Sequence, residues 1–162
     1  MDRLFTPWRL PYVTGTNKDV TGCIFCDAFS QVDREPLVVH RGVTCFVILN
    51  KYPYNNGHLM VVPHRHVGRL ADLGDDELAE VGRLTQMSER VLSAVYNPHG
   101  FNMGLNLGKP AGAGVLDHLH MHVVPRWNGD TNYMTVVGET RVLPEELGDA
   151  GIRLRAAFER EL

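Results

Sequence analysis

The feature that most restricts the fold is the stretch Asp117 to Trp127, DHLHMHVVPRW, in which His118, His120 and His122 alternate with Leu119, Met121 and Val123. Alternation of polar and apolar residues has period two, which predicts a β-strand with all three imidazoles on one face and the apolar side chains turned to the core. A lone histidine is usually a solvated or hydrogen-bonded core residue. Three partly buried imidazoles in a row are harder to assign to packing, because each needs a hydrogen-bond partner. Three readings remain: a metal-binding face, a general acid/base relay, or a nucleophilic histidine oriented by its neighbours.

The rest of the chain limits the setting of that strand. With 162 residues the chain is expected to be one domain, residues 1–162, with a single substantial core. A net charge of −3 argues against a broad nucleic-acid-binding face or an electrostatic membrane anchor, and favours a small polar ligand. The opening MDRLFTPWRLPY has no apolar signal region, and no run approaches the ~18 residues of a membrane span, so a cytoplasmic location is expected. Three cysteines suit a reducing compartment better than a disulfide framework. Cys45 lies in an apolar run and reads as a core residue, whereas Cys23 and Cys26 form a C-x-x-C knuckle. A thioredoxin-like redox site would place that motif between a strand and a long helix, which is not the pattern here, so metal is the better functional reading.

Residues 1–20 read as an irregular arm in which Trp8 and Tyr12 pack on the body or on another subunit. The knuckle at Thr21 to Phe29 is expected to begin a short helix. Leu37 to Val39 and Val43 to Leu49 read as strands, the second rich in β-branched and aromatic residues. NKYPYNNG is turn chemistry, and His58 to Pro63 returns as the next strand, so Asn50 and His58 flank one antiparallel loop. Asp75 or Asp76 is expected to cap a helix reaching about Tyr96, with Leu78, Val81, Leu84, Met87, Val91 and Val95 on its apolar stripe. Phe101 to Leu107 reads as a strand, followed by GKPAGAG, whose glycines let backbone amides approach an anion. Thr135 to Val137 is expected as a short strand, and Pro144 starts a helix that reaches Arg160, weakened at first by Gly148 and Gly151. The fold class is α+β: an antiparallel sheet with a long helix and a C-terminal helix packed on it.

His118-Leu-His120-Met-His122-Val-Val resembles the signature of the histidine triad (HIT) nucleotidyl transferases and hydrolases, and the likeness covers roughly residues 21–134, with residues 135–162 adding the C-terminal strand and helix. The resemblance implies that His120 is the nucleophile, that His122 contacts phosphate, that His58 supports the array and that Asn50 binds nucleoside. Hydrolase branches usually carry Gln and Ser shortly before the triad, where Gly114 and Val115 stand here. GLNLG, the AGAG loop and HVVPRWNGDTN look instead like the bacterial diadenosine tetraphosphate phosphorylases. That likeness implies that Asn106, Gly112, Ala113, Gly114 and Trp127 line the phosphate and nucleotide site, with Lys109 and Arg126 as further contacts or merely solvated charges. It also implies inorganic phosphate as acceptor and a homodimer or homotetramer, with no organic cofactor and no nucleic-acid or membrane partner.

Zinc-bearing members of the family resemble a second set, Cys23, Cys26, His66 and His118, which has the ligand types of a closed tetrahedral zinc site. The expected activity is phosphorolysis of diadenosine tetraphosphate to ADP and ATP through a covalent AMP-histidine. The alternatives are a dinucleoside polyphosphate or adenylate hydrolase of the same family, and a non-catalytic AMP-binding regulatory module.

Overall fold

The computed structural model describes residues 22–31, 36–130 and 145–161. Its order is α1 (Ile24–Ser30), β1 (Val38–Arg41), β2 (Cys45–Leu49), β3 (Leu59–Pro63), α2 (Asp75–Tyr96), β4 (Gly100–Leu105), β5 (Met121–Arg126) and α3 (Leu147–Arg160). The strands form one antiparallel sheet in the order β1-β2-β3-β5-β4. This is the expected α+β arrangement. The arm before residue 22, the strand expected at 135–137 and Pro144 lie outside the described residues.

Period-two patterning divides the sheet into two apolar faces. Val47, Leu49, Leu59, Val61 and Val123 turn to one face, against Leu84, Val91 and Leu92 of α2 and Leu154 and Phe158 of α3. Phe46, Ile48, Met60 and Val62 turn to the other, where α1 covers them with Phe25 and Ala28. Strands β2 and β3 are buried along their whole length, which explains their unbroken apolar runs. The second face is only partly covered, and the histidines open there.

Helix α2 starts one residue earlier in its capping than expected. Gly74 is the N-cap, its N–H donating to the Glu77 carboxylate at 2.8 Å, while Asp75, Asp76 and Glu77 fill the first turn near the positive end of the dipole. The helix ends on Asn97, which takes the left-handed conformation with φ 46°. Leu78 is exposed rather than part of the apolar stripe. At ~100° per residue it falls more than a quarter turn from the middle of the stripe made by Val81, Leu84, Ser88 and Val91. In α3 the glycine at 151 serves close packing, since a Cβ there would stand 2.7 Å from the Pro36 carbonyl oxygen.

Glu80 is the one buried carboxylate of α2, and it closes the turn between β1 and β2. It accepts hydrogen bonds from the amides of Val43 (3.0 Å), Thr44 and Cys45 (2.9 Å) and from the Thr44 hydroxyl (2.6 Å). Burial alone would raise its pKa, but these donors outweigh burial and hold it at about 2. A depressed carboxylate stabilises the fold above its unfolded-state value near 4.5 and loses that contribution as pH falls toward 2. Glu80→Gln, which sets an amide NH2 against backbone donors, is therefore expected to cost about 2–4 kcal/mol in urea unfolding at neutral pH. The variant should also lack the wild type's loss of stability between those two pH values.

Candidate active site and cysteine-histidine cluster

Pairing of β3 with β5 sets Met60 opposite His122, and His58 stands just before β3. The regular strand β5 begins only at Met121, so of the three alternating histidines His122 alone lies in the ladder. His118 and His120 lead into it, and the Leu119 N–H donates to the Val67 carbonyl at 2.7 Å. Alternation nevertheless survives: Leu119 and Val123 are buried in the core, and the rings of His120 and His122 meet edge to face with centroids 4.8 Å apart. Phe25 of α1 sits against both neighbours in the row, 5.4 Å from His118 and 5.0 Å from His120.

Hydrogen bonds dictate which nitrogen of each imidazole carries a proton. His120 Nδ1–H donates to the His118 carbonyl at 2.9 Å, so its Nε2 presents a lone pair. His118 Nε2–H donates to the Pro63 carbonyl at 2.9 Å, leaving its Nδ1 lone pair facing the cysteines. His58 Nδ1 accepts from the Tyr54 N–H at 3.0 Å, so its Nε2–H must be the donor in the 2.9 Å contact with His122 Nδ1. His122 is thereby left with its proton on Nε2, a buried donor without a partner among the described residues. Burial lowers the pKa of His120, against the raising effect of its backbone bond, and burial with the nearby His120 brings His122 to about 4. Both rings are neutral at neutral pH. The arrangement joins a nucleophilic nitrogen to a neutral hydrogen-bond donor that lacks an acceptor.

Both rings line an open cleft of about 260 Å³. Of the residues expected to bind nucleotide, Asn50, Gly112, Ala113 and Gly114 line it with His122. Asn106 is set beside the loop, its Nδ2 4.0 Å from where a Cβ on Gly112 would stand. Trp127 follows the end of β5 and is not among the lining residues. Arg126 is engaged elsewhere, in a two-pronged ion pair with Asp130 (2.6 and 2.8 Å) and a bond to the Asn102 side chain. Lys109 is exposed in a short 3-10 turn.

Sequence reasoning passed over much of the cleft wall. Tyr52 and Tyr54 line it from the loop read as turn chemistry, and Tyr54 tilts over His58 at 4.7 Å. Ile24 and Phe25 line it from inside the C-x-x-C knuckle, whose apolar middle residues were the available signal. Asn50 lies in the cleft but already serves the loop: its Oδ1 accepts from the Tyr52 N–H at 2.9 Å and its Nδ2 is 3.3 Å from His58 Nδ1.

The glycine loop offers fewer amides than its composition promises. The N–H groups of Ala111, Gly112 and Ala113 donate back to the carbonyls of Gly108 and Lys109, closing a turn that Gly112 completes with φ 87°. The amides of Gly114 and Val115 make no backbone hydrogen bond among the described residues, and both residues line the cleft beside His120. Of the loop's cleft-lining residues, these two keep amides free to face an anion.

Next to the row, Cys23, Cys26, His66 and His118 come together with one potential ligand atom each, all within 4.8 Å of one another. Cys23 Sγ is 3.2 Å from His118 Nδ1, and Cys26 Sγ is 3.4 Å from His66 Nδ1 and 3.6 Å from His118 Nδ1. A tetrahedral ion with sulfur and nitrogen ligands has ligand-to-ligand edges of about 3.3–3.8 Å, which the three closest pairs approach, so the four side chains suit a zinc-sized site that would draw the wider pairs in. The lone pair of His118 Nδ1 points the right way, and its Nε2–H is fixed by Pro63 as the outer bond of a metal-bound imidazole would be. Burial and the adjacent Cys23 push the Cys26 thiol up.

The HIT domain family model matches residues 31–129. The chain is 44% identical to a protein named AP-4-A phosphorylase from Mycobacterium tuberculosis, over 99% of this chain and 86% of the relative. Among solved structures it resembles a zinc-bound histidine triad family protein from Mycobacterium smegmatis (28% identity, 86% of this chain and 95% of the other, TM-score 0.70). It also resembles a hypothetical histidine triad nucleotide-binding protein from Sulfolobus tokodaii (26% identity, 85% and 93%, TM-score 0.69).

Proposed function

Because the chain belongs to the HIT domain family, we propose that it is a nucleotidyl transferase that cleaves diadenosine tetraphosphate by phosphorolysis to ADP and ATP. The observation that carries the reading is His120, whose Nδ1 is tied to the His118 carbonyl so that Nε2 keeps its lone pair, lining the same cleft as Gly114 and Val115, whose amides make no backbone hydrogen bond among the described residues. Nε2 attacks an α-phosphorus, a P–N bond forms, the bond to the bridging oxygen breaks, and ATP leaves. Inorganic phosphate, held by the amides of Gly114 and Val115, then attacks the AMP-histidine; ADP leaves and the imidazole returns to its starting state. His122 Nε2–H supplies a hydrogen bond to the phosphoryl oxygens, and His58 keeps it in that tautomer. Asn50, Gly112, Ala113 and Gly114 contact the nucleotide, with Asn106 supporting the loop. Trp127, which follows the end of β5, is a further contact to the nucleotide in this reading.

In the same reading Cys23, Cys26, His66 and His118 hold a zinc ion, which with four protein ligands supplies structure and no catalytic water. The whole chain is one HIT domain, and it works as a homodimer or homotetramer in the cytoplasm. Among the described residues no helix is long and apolar enough to cross a membrane. The edge strand β4, half-buried to exposed along its length, is the natural contact between copies.

The deciding experiment is incubation of purified protein with diadenosine tetraphosphate over a range of phosphate concentrations. ADP plus ATP, with saturable dependence on phosphate, is expected. AMP plus ATP at millimolar phosphate would make the protein a hydrolase, and AMP binding without turnover would make it a regulatory module.

A further inference from the structure

We infer that Asn55, Asp130 and Arg126, none of which lines the cleft, form a clamp that positions the His58–His122 pair through the 50–58 loop. The inference rests on the proposed use of those imidazoles. The loop carries Tyr52 and Tyr54 into the cleft and ends in His58, so its placement sets both the cleft wall and one member of the imidazole pair. At its far end Asn55 Nδ2 donates to Asp130 Oδ2 at 2.9 Å and to the Pro125 carbonyl at 3.1 Å. Its Oδ1 accepts from the Asn56 N–H, and its backbone carbonyl accepts from the His58 N–H at 3.2 Å. Asn55 thus ties the turn after β5 directly to the residue that orients His122.

Asp130 is itself held from two strands. Arg126 of β5 grips both its oxygens and reaches Asn102 of β4, while the Trp127 N–H donates to Oδ2 at 3.1 Å. The loop is therefore fastened to β5 twice, near the strand's start through His58 and His122 and at its end through Asn55 and Asp130. Arg126 is substantially exposed, at 43%, and such a pair adds little to global stability. Geometry is a different matter, because a shift of about 1 Å in a catalytic group can cost roughly 10²-fold in rate. Asn55, Arg126 and Asp130 are thus positioning residues, and the PRWNGD segment acts by holding a loop.

Asn55→Ala and Asp130→Ala are each expected to lower kcat/KM for diadenosine tetraphosphate about 10- to 100-fold with little change in melting temperature. The double variant should lose clearly less than the product of the two single losses, since both break the Asn55–Asp130 contact even though each also loses contacts of its own. Asp130→Asn keeps one oxygen for Asn55 but sets an amide NH2 against the second Arg126 prong, so its activity should fall between that of the wild type and that of Asp130→Ala. Long-range proton–nitrogen NMR of the imidazoles needs no substrate, so it tests the clamp even if the reaction is another. His122 should be Nε2-protonated in the wild type, with the His58 and His122 signals shifted or exchange-averaged in the alanine variants. Unchanged imidazole signals with unchanged kcat/KM, or losses that multiply in the double variant, would overturn the clamp. Should an alanine variant fail to fold, Arg126→Lys decides: it keeps the charge without the fork, and unmoved His58 signals with full activity would overturn the proposal equally.

Discussion

His120→Ala is expected to lower turnover by roughly 10³- to 10⁶-fold while nucleotide binding persists. The size follows from the tautomers, which leave no substitute lone pair on the row. His118 Nδ1 is turned to Cys23 and Cys26, and His122 Nδ1 is occupied by the proton of His58. The cleft wall made by Tyr52 and Tyr54 does not rest on the His120 ring, Tyr54 packing instead on His58 and His122, so a substrate can still be held. Acid quench of the wild type with labelled substrate in phosphate-free buffer should trap a nucleotidyl-enzyme, and the variant should trap none. A His120→Ala protein that still turns over would remove His120 from the reaction altogether.

What was legible in the chain and what was not divides along physical lines. The row of histidines was legible because period two survives even where the ladder does not reach His118 and His120; the start of β5 at Met121 was not, since it depends on where β3 stops pairing. The cysteine-histidine quartet was legible from ligand chemistry alone, although Cys23 and His118 are 95 residues apart. Tyr52 and Tyr54 escaped notice because turn residues announce a bend without saying what the bend faces. Arg126 could be read as a phosphate contact only while its partner was unknown. In the fold Asp130 and Asn102 engage it, so it is neither a free phosphate contact nor a merely solvated charge. The glycine loop shows the same limit, since composition suggests many free amides and the turn on Gly108 and Lys109 consumes three of them.

The proton positions were the least accessible property of all. A sequence names an imidazole but not the group facing each nitrogen, and here two backbone carbonyls and one backbone amide decide the matter: His118 for His120, Pro63 for His118, and Tyr54 for His58. Those backbone groups are placed by the β3–β5 pairing and by the 50–58 loop. The chemistry of the row is therefore a property of the fold more than of the motif.

Removing a cysteine from the quartet should have the other large effect, and on the fold first. Helix α1 has only 7 residues, no side-chain hydrogen bond at its Cys23 N-cap, and a length at which an isolated helix is not stable in water. It is held by Phe25 and Ala28 against the sheet and, in the zinc reading, by two of the four ligands at its start. Protein purified without chelator is expected to carry about one zinc per chain by elemental analysis. Cys23→Ser should lose the metal and at least ~3 kcal/mol of stability, or roughly 10 °C in melting temperature. Because the ion would hold α1 rather than take part in the chemistry, chelation should lower the melting temperature before it lowers activity at moderate temperature, and activity should fall once α1 comes away and withdraws Phe25 from the rings of His118 and His120. Metal-free protein that melts where the wild type does would show that the four side chains merely pack together.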